Sequence, residues 1–314
     1  MNVISFALRR ALGLVLTLFA ASFLIFGGLY AAPGDPAALL AGGQRPNPEV
    51  LAAIRAEYRL DDPFLLQYGH WLAGLLTGDP GTSAVYRTGV GGLIAERAAT
   101  TAFLVAYAGA LIIAAGLGLG TLAALGGPAV GRTLTVATSA AQAAPPFVVA
   151  TLLIWLFATR LGWLPVYGAG SGFAGRLEHL TLPAVALALS FTAYVARVTR
   201  TAVRGELHSD HVGTAEARGL PRAAVVRRHV LRNAAAPVMT VSGLTLAGLF
   251  AGTAIVEEAF GVNGLGSLLV QSAARQDMAV VMALSMLIVT AFTAVNTLVD
   301  AASALLDPRV PQVR

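Results

Sequence analysis

The sequence predicts an all-α, polytopic membrane protein with six transmembrane helices, and three observations carry that prediction. Hydrophobic residues make up 56% of the 314 residues and charged residues 12%, with a mean hydropathy of +0.73. Soluble domains run at about 45–50% apolar and about 25% charged. Windows free of Asp, Glu and Arg fall at 11–34, 98–131, 133–159, 179–196, 233–256 and 278–299. Each is long enough to supply the roughly 20 apolar residues that about 30 Å of hydrocarbon requires. The connections between windows alternate between arginine-rich and arginine-poor, as a chain threading a bilayer demands.

The same composition excludes other classes. A soluble globular fold, a collagen-like or disordered chain and a disulfide scaffold all conflict with it, and cysteine is absent. All 21 basic residues are arginine. A P-loop needs a lysine on the nucleotide phosphates and Schiff-base catalysis needs a lysine amine, so neither chemistry is expected of this chain. The net charge of +5 does not point to nucleic acid, because the arginines segregate as membrane topology requires.

In the first window Leu12, Leu14, Leu16, Leu18, Phe19, Phe23, Leu24, Ile25 and Phe26 contribute about −3 to −5 kcal/mol toward insertion. Arg9 and Arg10 ahead of this stretch imitate a signal peptide or a twin-arginine signal, but the apolar run exceeds the roughly 7–15 residues of a signal core. An uncleaved first span is expected. An even number of spans puts both termini on one side. Arg9, Arg10, Arg132, Arg197, Arg200, Arg204, Arg218, Arg222, Arg227, Arg228, Arg232, Arg309 and Arg314 share that side, and Arg160, Arg176 and Arg275 fall on the other. The arginine-rich side is expected to be cytoplasmic.

The chain divides into an N-terminus and first span at 1–34, an extracytoplasmic segment at 35–97 and a five-helix region at 98–314. In the outer segment Asn47-Pro48-Glu49 opens a helix toward Leu60, with proline at its first turn, and Asp61-Asp62-Pro63 stops it. A second helix from Pro63 carries Leu65, Leu66, Tyr68, Trp71, Leu72, Leu75 and Leu76. Its pattern fits a helix lying at the headgroup level and, equally, one packed on protein.

The one long cytoplasmic connection, 204–236, concentrates charge. Gly219-Leu220-Pro221 interrupts its helical pattern, which predicts two short helices meeting at Gly219 with the second opening near Pro221. Such a bent, charged finger suits docking; a solvated loop that only sets topology is the plainer reading. His208, Asp210, His211 and Glu216 resemble a metal-ligand list, yet no HExxH pairing is present and arginines crowd the loop, so no metal is expected. His70 and His179 are isolated, and Ser171 and Ser267 lack the strand pattern and partner set of a hydrolase nucleophile. Catalysis is not expected.

Gly116, Gly118 and Gly120, with Gly243, Gly248 and Gly252, supply small faces for close helix approach, within the chain or toward a partner subunit. Pro145-Pro146 must break the third window, which membranes tolerate where neighbours or a water-filled path satisfy the freed carbonyls. Pro145, Pro146 and the adjacent Phe147 are therefore candidate pathway or gate residues, together with Glu257 and Phe260 at the outer end of the fifth span. Glu257 and Glu258 there suit either a brief meeting with a solute's ammonium group or a structural contact. The windows offer hydroxyls but no ion-pair partners, so the path should hold free solute only weakly.

The chain resembles, over nearly its whole length, the membrane-spanning permease subunit of bacterial ABC importers of the dipeptide, oligopeptide and nickel type. The resemblance rests on Ala32-Pro33-Gly34-Asp35-Pro36, Leu161-Gly162-Trp163-Leu164-Pro165, and Thr214-Ala215-Glu216-Ala217-Arg218-Gly219-Leu220. It continues through Arg228-His229-Val230-Leu231-Arg232-Asn233-Ala234, Pro237, Val256-Glu257-Glu258-Ala259-Phe260, Gly264-Leu265-Gly266 and Leu306-Asp307-Pro308-Arg309. Departures from the family pattern are His211, Gly213 and Glu216 before the glycine and Val262-Asn263 in place of a common Trp-Pro.

The resemblance implies that 204–236 is a coupling loop docked on a separate ATPase, with Asp210, Thr214, Ala215, Glu216, Arg218, Gly219 and Leu220 at the contact. It further implies a second homologous permease, two ATP-binding cassette subunits carrying ATP and Mg, an extracytoplasmic solute-binding protein and a bacterial inner-membrane location. This chain itself would bind no cofactor. The rival reading is a stand-alone secondary transporter, which commonly keeps ionisable residues at mid-membrane; the six windows hold none of Asp, Glu or Arg.

Overall fold

The computed structural model describes residues 3–31, 37–38 and 47–306, and the side-chain surroundings of 10–31, 37–38 and 47–301. The 32–36 motif with Asp35, residues 307–309 of the last motif, Arg314 and the side chain of Arg9 lie outside the described residues. Among the described residues the regular structure is helical, apart from one isolated bridge between Thr82 and Gly89.

The helices are α1 (Val3–Tyr30), α2 (Pro48–Glu57), α3 (Phe64–Thr77), α4 (Val90–Leu125), α5 (Pro128–Ala143), α6 (Pro146–Leu153) and α7 (Gly172–Leu207). They continue with α8 (Asp210–Ala217), α9 (Arg222–Val225), α10 (Leu231–Ala259), α11 (Leu265–Ala274) and α12 (Met278–Leu306). A π-helical turn at Ile154–Arg160 extends α6, and another at Val226–Val230 joins α9 to α10. The stretches Arg10–Tyr30, Val90–Leu125, Gly172–Leu207, Arg222–Ala259 and Met278–Ala301 are each long and apolar enough to span a bilayer. The remaining expected span is the pair α5 and α6, bent by 97°. Its cause is local: Ala144 is extended, as a residue before proline prefers, and Pro146 opens a new helix at its first position.

The chain separates into two compact units, Met1–Thr100 with Gly264–Ala291, and Thr101–Asn263 with Phe292–Arg314. In the first unit Asn47 caps α2 by accepting from the Glu49 amide, and Pro48 occupies the first turn. Phe19, Phe23, Phe26 and Tyr30 recur at helical spacing on α1 and meet Phe64, Tyr68 and Trp71 of α3 in edge-on and tilted pairs. Tyr68 is buried and its hydroxyl lies 2.8 Å from Ser22 Oγ. Of the two readings of this helix, its aromatic face is the one packed on protein, while Leu65, Leu66 and Leu76 stay exposed. Elsewhere in this unit Val90 and Leu93 pack with Leu265, Leu268, Val280 and Leu284. Asp277, fully buried ahead of α12, accepts from Ser83 Oγ and from the Val85 amide.

The second unit is built on α7 against α10, with Leu104, Ile112, Leu187, Val195, Leu249, Val256 and Phe260 among its core. Two of the glycine faces serve contacts within the chain. A Cβ on Gly120 would lie 2.5 Å from the Ala196 carbonyl, and one on Gly243 would overlap Val299. Gly118 and Gly248 face open space.

Candidate functional site

The 204–236 connection bends at Gly219 as expected, but only α8 is a separate short helix: the expected second one runs through the π-helical turn into α10, so that Arg222–Ala259 is continuous, and 204–207 is the end of α7. Helix α8 ends in a Schellman turn: the Gly219 amide donates to the Glu216 carbonyl at 2.9 Å and the Leu220 amide to the Ala215 carbonyl at 3.3 Å. Gly219 sits at φ +77°, in the left-handed region that L side chains resist. Pro221 then starts α9 from an extended conformation.

The finger has its own small core. Val212 and Ala215 of α8 turn inward onto Val203, Val225, Val230, Ala234 and Ala124. Small apolar side chains at this spacing let α8 stack closely on the ends of α7 and of the Arg222–Ala259 helix, so the bend is held from inside as well as by its turn. Asp210, Thr214, Glu216, Arg218, Gly219 and Leu220 are exposed, whereas Ala215 is 5% exposed and belongs to the anchor, not to the rim. His211, considered above with possible metal ligands, instead ties the finger to its neighbours. Its Nε2 lies 3.3 Å from Glu206 Oε2 at the end of α7 and 3.0 Å from Asn233 Nδ2 at the start of α10. No cluster of three or more metal-ligating residues occurs among the described residues.

The pathway candidates do not converge. Pro145 and Pro146 form the break between α5 and α6, and Phe147 is 58% exposed. Glu257 and Phe260 are buried at the other end of α10. Thr101 Oγ1 donates to Glu257 Oε1 at 2.7 Å, and the Phe260 carbonyl accepts from the Gly168 amide at 3.3 Å. Glu257 thus has the geometry of the structural contact rather than of a carboxylate waiting in a water-filled mouth. His179 Nδ1 lies 2.9 Å from the Tyr167 carbonyl, and Ser267 Oγ accepts from the Gly264 amide at the start of α11.

Sequence reasoning missed the partners of two buried groups, Glu257 and Asp277, and of the half-buried His211.

The family model for the inner membrane component of binding-protein-dependent transport systems matches residues 116–312, and the model for the N-terminal part of such membrane components matches residues 3–88. The chain belongs to this family. A glutathione transport system permease protein, GsiC of Escherichia coli K12, is 35% identical over 315 residues, covering 98% of this chain and 99% of that one. A probable peptide ABC transporter permease protein, y4tP of Sinorhizobium fredii, is 34% identical over 309 residues, covering 97% and 98%. Among solved structures, the inward-facing MetNI methionine ABC transporter aligns with a TM-score of 0.57 at 18% identity, over 68% of this chain and 96% of that one. An amino acid ABC transporter aligns with a TM-score of 0.52 at 16% identity, over 68% and 93%. The likeness to these structures is one of fold. This family member is therefore a multi-pass permease subunit of an ABC importer, and the stand-alone secondary transporter does not fit.

Proposed function

We propose that this permease subunit carries peptides or a related small solute into the bacterial cytoplasm by alternating access, powered through its finger by separate ATPase subunits. The observation that carries this reading is the finger: an exposed polar rim, a glycine bend and an apolar anchor that holds both against the ends of α7 and α10. A rim held this way passes a push from a docked partner directly to two spanning helices. In this reading Asp210, Thr214, Glu216, Arg218 and Leu220 meet the ATPase, Gly219 sets the bend, and Ala215 keeps the rim in register.

ATP and Mg then reside on two ATP-binding cassette partners, and this chain is neither an enzyme nor a cofactor carrier; the lack of any lysine supports that division. A second homologous permease completes the path, and an extracytoplasmic binding protein selects the solute. Both termini are cytoplasmic, with 35–97 outside, as the arginine distribution supports. The peptide class rests on the relatives named for peptide and glutathione transport. Pro145, Pro146 and Phe147 line the path at its break, and Glu257 and Phe260 hold its outer end in shape.

The test is copurification with mass identification of partners, then reconstitution in proteoliposomes with labelled dipeptides and tripeptides. Uptake that requires ATP, the ATPase subunits and the binding protein is expected. Uptake by this chain alone, driven by an ion gradient, would overturn the reading.

A further inference from the structure

Between α5 and α7 in the second unit, an open recess of about 320 Å³ is lined by Pro128, Arg132, Thr135, Val136, Arg200 and Arg204. Three guanidinium groups face it and no carboxylate does. Arg200 is fixed: its Nη1 donates to Thr135 Oγ1 at 2.7 Å, and that hydroxyl in turn donates to the Gly131 carbonyl at 2.7 Å. Arg200 Nε is buried without any hydrogen-bond acceptor. The guanidinium groups of Arg132 and Arg204 make no hydrogen bond or ion pair among the described residues, and Arg204 pairs only through its backbone, its carbonyl lying 2.8 Å from His208 Nδ1. Close by, Arg197 reaches Gln142 Oε1 at 3.3 Å, again a neutral acceptor.

Like charges gathered around a buried, unused N–H are unfavourable unless an anion completes them. Guanidinium forks match the oxygens of a phosphate, and three of them exceed what one carboxylate satisfies. The surroundings select the source of that phosphate. Pro128 and Val136 line the recess and are both exposed, Val136 to 63%, so apolar side chains stand open beside the arginines. A soluble anion gains nothing from them, whereas acyl chains below a headgroup cover them. No aromatic residue or glycine-rich loop lines the recess to receive a nucleotide.

We propose that this recess binds the phosphodiester of an anionic phospholipid, with Arg132, Arg200 and Arg204 as its ligands. Basic pockets between spanning helices near a membrane surface serve headgroups in this way. The proposal is independent of the solute and of the ATPase contact, and its test reads lipid, not transport.

Native mass spectrometry of the full-length chain, with the subunits that accompany it, is titrated with dioleoylphosphatidylglycerol and, in parallel, with dioleoylphosphatidylcholine and inorganic phosphate. Phosphatidylglycerol is expected to bind at least tenfold more tightly than phosphatidylcholine. The double variant Arg132→Gln/Arg204→Gln, which removes no side-chain hydrogen bond or ion pair among the described residues, is expected to weaken phosphatidylglycerol about tenfold. The control Arg227→Gln/Arg228→Gln, with the same loss of charge on the finger, should shift it less than twofold. Equal weakening in both double variants would mean diffuse charge attraction and would overturn the site. So would inorganic phosphate binding as tightly as the lipid, or lipid binding only once partner subunits are stripped away, which would mark the recess as a seat for an acidic protein segment.

Discussion

The two ends of α10 hold their acidic residues in opposite surroundings. At the finger end, Asp210, Glu216 and Arg218 lie exposed over an anchor of Val212, Ala215, Val225 and Val230. At the other end Glu257 is fully buried and joined to Thr101. Exposed charge on an apolar anchor costs little stability and leaves its hydrogen-bonding capacity for a partner. Buried charge spends that capacity on the fold. On the proposed reading a docking rim and a structural clamp therefore differ in burial, not in composition, and each can be tested by moving burial and charge independently.

The largest effect is expected from breaking the anchor. Ala215→Asp places a carboxylate among apolar side chains with no partner, so the finger should open while the spans still insert. Copurification of the ATPase subunits should fall at least tenfold with membrane abundance unchanged; intact copurification would show that the rim does not depend on its anchor.

At the opposite end, Glu257→Ala removes the carboxylate that accepts from the Thr101 hydroxyl and leaves a void, and should lower stability by about 2–3 kcal/mol. Glu257→Gln, which still accepts from Thr101, should cost less. Thermal unfolding of the purified transporter distinguishes the two, and equal losses would contradict the clamp.

These two ends also mark how far the sequence could be read. The spans followed from charge-free windows, and the finger's bend from Gly219-Leu220-Pro221, because chain-local chemistry decides both. Pro145-Pro146 foretold the break, though not its 97° angle. Burial of Glu257 and Asp277 was not legible, since each depends on a partner far along the chain: Thr101 lies 156 positions from Glu257, and Ser83 lies 194 from Asp277. The inward turn of Ala215 was hidden for a related reason. Within a charged loop, only the packing of α8 on α7, α9 and α10 separates anchor from rim.

A smaller effect is expected at the bend. A Cβ on Gly219 would meet nothing within 4 Å, so replacement there probes backbone conformation alone. The left-handed conformation costs an L residue about 1–2 kcal/mol, more when β-branched. Gly219→Val should therefore reduce solute moved per ATP more than Gly219→Ala, with insertion unaffected; wild-type coupling in both would remove the hinge from the account. The smallest stability change belongs to the rim, where Glu216→Ala and Arg218→Ala should stay within about 0.5 kcal/mol of the parent while still lowering stimulated ATPase activity.

The central claim, that this rim is where power enters the permease, is tested most directly by photocrosslinking from two exposed leucines in the assembled transporter. A crosslinking residue at Leu220 should capture an ATPase subunit, with a yield that changes when nucleotide is added. The same residue at Leu76 on α3, 79% exposed, should capture none. ATPase captured from position 76, or none from position 220, would contradict the account.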